Sequence, residues 1–193
     1  MPCACNMVEF YHSVTLHEEQ CVGCTNCIKR CPTEAIRVRG GKAVIAPERC
    51  IDCGECIRIC PHHAKRARYT QLSRMQEFKY NIALPAPTLY GQFNNLDDID
   101  YVLTGLKEMG FDMVFEVSRA AELISEATRK LMDAGKLKRP VISSACPAVV
   151  RLIRVRFPDL VDNVLPLKSP METAAAMAKQ QAHEETGLPY EDI

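Results

Sequence analysis

Two stretches, CVGCTNCIKRCPTEAI at residues 21–36 and CIDCGECIRICPHHAK at residues 50–65, decide how the chain is read. Laid over one another at an offset of 29 residues, they share four cysteines, Ile28 with Ile57, Pro32 with Pro61 and Ala35 with Ala64. Each runs Cys-x-x-Cys-x-x-Cys-x-x-x-Cys-Pro. A tight loop lets three thiolates take three corners of a cubane, while the fourth, at the start of a helical turn, points the other way. Two zinc ions could also use eight thiolates, but zinc motifs do not demand this doubled pattern. The spacing therefore predicts two 4Fe–4S clusters with crossed ligands. Cys21, Cys24, Cys27 and Cys60 form one set, and Cys50, Cys53, Cys56 and Cys31 the other.

Over about residues 13–70 the chain resembles the two-cluster ferredoxin family, an α+β fold. Between the repeats, AIRVRGGKAVIAP alternates around Gly40-Gly41, which is a hairpin signal. From Cys21 to Thr70 there are ten Lys and Arg against four Asp and Glu, although the whole chain is formally neutral. That local excess could mark a nucleic-acid patch. It is explained more simply by anionic clusters, each of about −2 with four thiolates, that need compensation. No nucleic-acid partner is expected.

Ten of the eleven cysteines lie in the first sixty residues. The N-terminus lacks a secretory pattern, and no apolar run reaches the ~20 residues of a membrane helix. A cytoplasmic, reducing compartment follows, where dense cysteines bind metal rather than pair. Cys3 and Cys5 are expected to be free thiols near a frayed terminus, and His12, His17, His62 and His63 to be surface residues.

The composition then changes, placing a boundary between a first domain at 1–75 and a second at 76–193. NIALPAPTL reads as a strand end turning into a loop, FDMVFEV as a buried strand and RPVISSA as a third strand. Helices are predicted in NNLDDIDYVLTGLKEMG, SRAAELISEATRKLMDAG, CPAVVRLIRVRFP and SPMETAAAMAKQQAHEETG, the last opened by Ser169 and Pro170. This alternation predicts an α/β domain with a parallel sheet flanked by helices. Cys146, the eleventh cysteine, falls at a strand-to-helix turn, where a helix N-terminus favours a thiolate. Residue type and position leave both a structural cysteine and a ligand open.

The segments PAPTL, GFDMVFEVSRAAEL, SSACPAVVRLI with FPDLV, and KSPMETAAAMAK resemble, in order, the start of the catalytic domain of iron-only (di-iron) hydrogenases. A two-cluster ferredoxin domain ahead of that domain is the family's usual arrangement. The resemblance makes Cys146 one of four ligands to the cubane half of an active-site cluster. It places Pro85, Ala86, Pro87, Ser169 and Pro170 in loops lining the di-iron pocket. Ala145 stands where active members carry a proton-donating cysteine, and Val149 where an aromatic is common. Ala127-Thr128-Arg129 and Leu165 replace an expected relay glutamate and serine. Turnover needs a proton path, so no catalytic residue is assigned, and slow activity or the family's sensory branch is the implied role.

The family's other three cubane ligands lie farther along than Ile193, so the chain reads as the N-terminal part of a longer protein. The di-iron cluster is expected only in that longer form, and this chain alone is not expected to be catalytic. The alternative is a ferredoxin-type electron-transfer module whose α/β domain docks a redox partner, without dihydrogen chemistry.

Overall fold

Gly40 and Gly41 both take positive φ, +55° and +74°, and turn the chain between two strands, as the sequence between the cysteine repeats requires. The computed structural model describes residues 12–193. Cys3 and Cys5 lie outside the described residues. The chain divides into two units: one holds the chain up to Thr70 together with Pro147–Val161, the other Gln71–Cys146 with Asp162–Ile193.

In the first unit, β1 (Val14–Leu16) is followed by α1 (Asn26–Arg30), β2 (Ile36–Arg39), β3 (Lys42–Ile45), α2 (Glu55–Arg58) and β4 (Lys65–Ala67). β2 and β3 form the antiparallel hairpin, with Ile36 opposite Ile45 and Arg39 opposite Lys42. β1 pairs antiparallel with β4, Val14 opposite Ala67. The sequence repeat is written into the backbone. Gly23 and Asp52, Thr25 and Gly54, and Glu34 and His63 are pairs 29 residues apart, and all six have positive φ, between 50° and 73°. Four of the six are not glycine. Such conformations persist only where their surroundings hold them. The core between the two sheets is built from Val14, Ile36, Ala43 and Ala64 together with Cys21, Cys27 and Cys56.

The second unit carries β5 (Ile82–Ala83), α3 (Asp100–Glu108), β6 (Met113–Val114), α4 (Val117–Asp133) and α6 (Pro170–Thr186), while α5 (Pro147–Arg156) falls in the first unit. β5 and β6 are parallel, Ile82 opposite Met113 and Ala83 opposite Val114. Ala174, Ala178 and Ala182, spaced four apart on α6, are at most 1% exposed and join Ala120 of α4, Phe115 and Met113 in one core. Small side chains at this spacing let the two helix axes approach closely.

The four predicted helices form, α4 beginning at Val117, one residue ahead of its segment and at the end of the predicted strand FDMVFEV. Ser169 caps α6 with a complete capping box: Glu172 N–H donates to Ser169 Oγ at 3.3 Å, and Ser169 N–H donates to Glu172 Oε2 at 3.0 Å. Gly187 closes the helix in the left-handed region. Ser169→Ala is expected to cost about 1 kcal/mol, read as a lowered thermal midpoint.

The third strand does not form as predicted. In RPVISSA only Ile142 bridges Val164, in parallel. Pro140 offers no N–H to a ladder. Ser143 Oγ accepts from the Ala145 N–H, and Ser144 Oγ donates to the Leu167 carbonyl at 2.8 Å. A local side-chain hydrogen bond such as that of Ser143 competes with strand pairing. The observed fold is therefore mixed α and β with small two-stranded sheets.

Candidate metal centres

The residues just before each fourth cysteine form a single helical turn, and those after it reverse the chain back toward the neighbouring strands. The structure thereby brings the eight repeat cysteines into two groups. One cavity is lined by Cys21, Cys24, Cys27 and Cys60, with Leu16, Ala64 and Lys65. The other is lined by Cys50, Cys53, Cys56 and Cys31, with Val14, Ala35 and Ile36. Each cavity takes three cysteines from one repeat and the fourth from the other. The groups are also alike in burial: Cys21 and Cys50 are both 9% exposed, and Cys27 and Cys56 both 8%. All nine cysteines among the described residues are free thiols.

Backbone donors point at the sulfurs. Ala35 N–H donates to Cys31 Sγ at 3.2 Å. At Cys60 burial raises the thiol pKa, but the N–H groups of Lys65, Ala64 and His62 together outweigh it, and the net shift is downward. Burial pushes the Cys27 thiol up and the Cys56 thiol up to about 11, the charge of Lys65 opposing it at both. Burial likewise raises Cys50, against the Asp52 N–H. Thiols held protonated by burial become ligands when a metal supplies the missing positive charge.

Lys65 tests what that group could be. It is 2% exposed, and its Nζ has no hydrogen-bond partner among the described residues. A buried ammonium is costly unless an anion lies beside it. An iron–sulfur cubane held by four thiolates is such an anion, so the donor set and the orphaned cation suit the same group.

His17, His62 and His63 are exposed, as expected of surface residues. His12 is not. It is half-buried, its Nδ1 is buried without a hydrogen-bond partner among the described residues, and its ring lies in one group with Cys50 Sγ and Asp52, ligand atoms within 4.8 Å. The pairing of β1 with β4 draws His12 inward, which no local pattern announces.

In the second unit, Cys146 is exposed. The Ser144–Leu167 hydrogen bond ties its turn to the chain just before Ser169. Pro85 is buried and its carbonyl accepts from Val117 N–H at 3.2 Å; Ala86 is half-buried and Pro87 exposed. Beyond this loop, Tyr90 donates its hydroxyl to Glu116 Oε1 at 2.8 Å. Burial, with that hydrogen bond, pushes the phenol up to about 12. The sequence reading passed over this pair, which joins two segments 26 residues apart.

Comparison with known proteins gives two family matches. Residues 79–193 match the profile described as "Iron only hydrogenase large subunit, C-terminal domain", and residues 13–61 that of a "4Fe-4S dicluster domain". The periplasmic Fe hydrogenase large subunit of Nitratidesulfovibrio vulgaris is 30% identical over 187 residues, covering 87% of this chain and 44% of that protein. The NADP-reducing hydrogenase subunit HndD of Solidesulfovibrio fructosivorans is 33% identical over 97 residues, 46% of this chain and 17% of that protein. Iron hydrogenase 1 of Clostridium pasteurianum is 24% identical over 127 residues, 60% of this chain and 22% of that protein. The chain thus spans less than half the length of each of these relatives. Among the described residues, no helix is long and apolar enough to cross a membrane.

Proposed function

The chain belongs to the iron-only hydrogenase large-subunit family, and from that premise we propose that it is the electron-transfer part of a dihydrogen-oxidising, proton-reducing or dihydrogen-sensing protein. Its first unit would hold two 4Fe–4S clusters, one on Cys21, Cys24, Cys27 and Cys60, the other on Cys50, Cys53, Cys56 and Cys31. The observation that carries this reading is the crossed pair of thiol-lined cavities, one of them lined by a buried ammonium without a hydrogen-bond partner among the described residues. When bound, such clusters accept and pass on single electrons. The residues supply the remainder: cysteines to hold the cubanes, backbone N–H groups directed at Cys31 and Cys60, and an apolar shell from Val14, Leu16, Ile36 and Ala64 that limits water.

Under the same reading the domain division falls at 1–75 and 76–193, with the second part an α/β domain resembling the first part of the iron-hydrogenase catalytic domain. Cys146 would be one ligand of an active-site cubane, and Pro85, Ala86, Pro87, Ser169 and Pro170 would line its di-iron pocket in a longer form. Its exposure suits a group that awaits further partners. A redox protein is the proposed electron partner, and nine unpaired thiols favour a reducing, cytoplasmic setting.

The test is anaerobic reconstitution of the chain with iron and sulfide. About eight iron atoms per chain are expected, in two one-electron couples seen by electron paramagnetic resonance. Cys146→Ser should leave both intact. A chain that binds only zinc, or takes up about four iron atoms in a single couple, would overturn the two-cluster reading.

A further inference from the structure

The repeat is nearly symmetric in sequence, backbone and burial, so its departures from symmetry stand out. Lys65 and Ile36 occupy equivalent positions, 29 residues apart, at the last aligned place of each repeat. Both are 2% exposed. Ile36 lines the cavity of Cys31, Cys50, Cys53 and Cys56; Lys65 lines that of Cys21, Cys24, Cys27 and Cys60. One cavity therefore has an apolar wall where the other has a positive charge without a hydrogen-bond partner among the described residues.

A second departure has the opposite sign. Gly23 beside the first set corresponds to Asp52 beside the second, and Asp52 Oδ1 lies 3.5 Å from Cys50 Sγ. The Asp52 charge is partly offset by Arg151 of α5, whose Nη1 is 3.5 Å from Asp52 Oδ2, and His12 lies near the same carboxylate. Nothing described offsets Lys65 in this way, although its charge is felt at Cys56 of the second set as well as at Cys27 and Cys60 of the first.

Adding an electron to a cubane makes it more negative. A buried cation beside it stabilises the reduced state, and an anion destabilises it; Lys65 is buried, so solvent screens its charge little, whereas Asp52 is exposed and acts more weakly. We propose that Lys65 makes the two cages electronically unequal, holding the Cys21–Cys24–Cys27–Cys60 cage at the higher reduction potential so that electrons settle there. This rests on the two-cluster reading above. In the transfer itself, one electron leaves the reduced cubane of the second set, which is oxidised, and reduces that of the first. A one-electron redox protein refills the second set, and the thiolate ligation is unchanged.

The test is a redox titration, followed by electron paramagnetic resonance, of the reconstituted full chain and its variants. Wild type should give two resolved midpoints. Lys65→Met should lower the higher one, cutting the reduced-to-oxidised ratio at fixed potential about tenfold, which is about 59 mV for a one-electron couple. Lys65→Arg should preserve the gap. The inference is overturned if Lys65→Met assembles both clusters with wild-type midpoints, or if only the lower midpoint moves. Should Lys65→Met not assemble, Asp52→Asn tests the polarity from the other side: it should raise the lower midpoint and narrow the gap, and an unchanged gap would sink the idea. If wild type itself takes up fewer than two clusters, the two-cluster reading fails first and carries this inference with it.

Discussion

On the proposed two-cluster reading, replacing Cys60 with alanine should remove the cluster of the first repeat, and replacing Cys31 should remove that of the second. Cys60 lines the cavity of Cys21, Cys24 and Cys27, although it follows Cys56 by only four residues. Cys31 lines the cavity of Cys50, Cys53 and Cys56. Each single variant should drop iron from about eight atoms per chain to about four. That loss alone does not reveal which cluster went, but pairs of substitutions do. Removing Cys60 and Cys21 together disables one cage twice, so iron should stay near four atoms per chain. Removing Cys60 and Cys50 disables both cages, and iron should fall to nearly none. Uncrossed ligation would exchange these two results, so iron and sulfide analysis of the two double variants decides between them.

The crossing was legible because the constraint is local. A loop of three cysteines, a fourth four residues on and a proline leave few directions for the sulfurs. The hairpin at Gly40-Gly41 and the cap at Ser169 were legible for the same reason, since each depends on residues that touch in sequence. Lys65 was not read. Among ten basic residues between Cys21 and Thr70 it looked like one more compensating charge, and its burial depends on β4 pairing with β1 across about fifty residues. The signal was present all the same, since aligning the repeats sets a lysine against an isoleucine. The membership of α5 in the first unit had no such signal. It shows only when Arg151 reaches the Pro47 carbonyl at 3.0 Å and Arg156 comes within 3.6 Å of Glu34, contacts across more than a hundred residues. The strand predicted in RPVISSA failed for a reason the letters did contain: a serine, Ser143, able to bond to nearby backbone, following a proline. Cys146 stands between these cases. Its place at the head of α5 was readable, whereas the ligand role comes from family likeness alone.

Gly23→Ala should be the most damaging single-methyl change in the first unit. Gly23 lies between the first two cysteines of its set, with φ at +68°. A left-handed residue with a Cβ costs roughly 1–2 kcal/mol, and the second repeat bears such a residue: Asp52 holds φ +54° and uses its carboxylate to accept the Ser13 N–H at 2.8 Å. Conformation alone therefore does not forbid a side chain here. The neighbour does. A Cβ on Gly23 would lie 2.6 Å from the Gly41 carbonyl oxygen, which is backbone at the tip of the β2–β3 hairpin and cannot swing aside as a side chain would. Either the cysteine loop or the hairpin must move, and Cys21, Cys24 and Ala43 line the same cavity. Gly54 supplies the control, because at φ +73° it has nothing within 4 Å of an added Cβ. Gly54→Ala should show only the conformational cost of roughly 1–2 kcal/mol. Gly23→Ala should exceed it clearly, with a lower thermal midpoint and faster loss of about four of the eight iron atoms to a chelator. Equal behaviour of the two variants would mean that the hairpin yields freely, and that the cysteine loop is not braced against it.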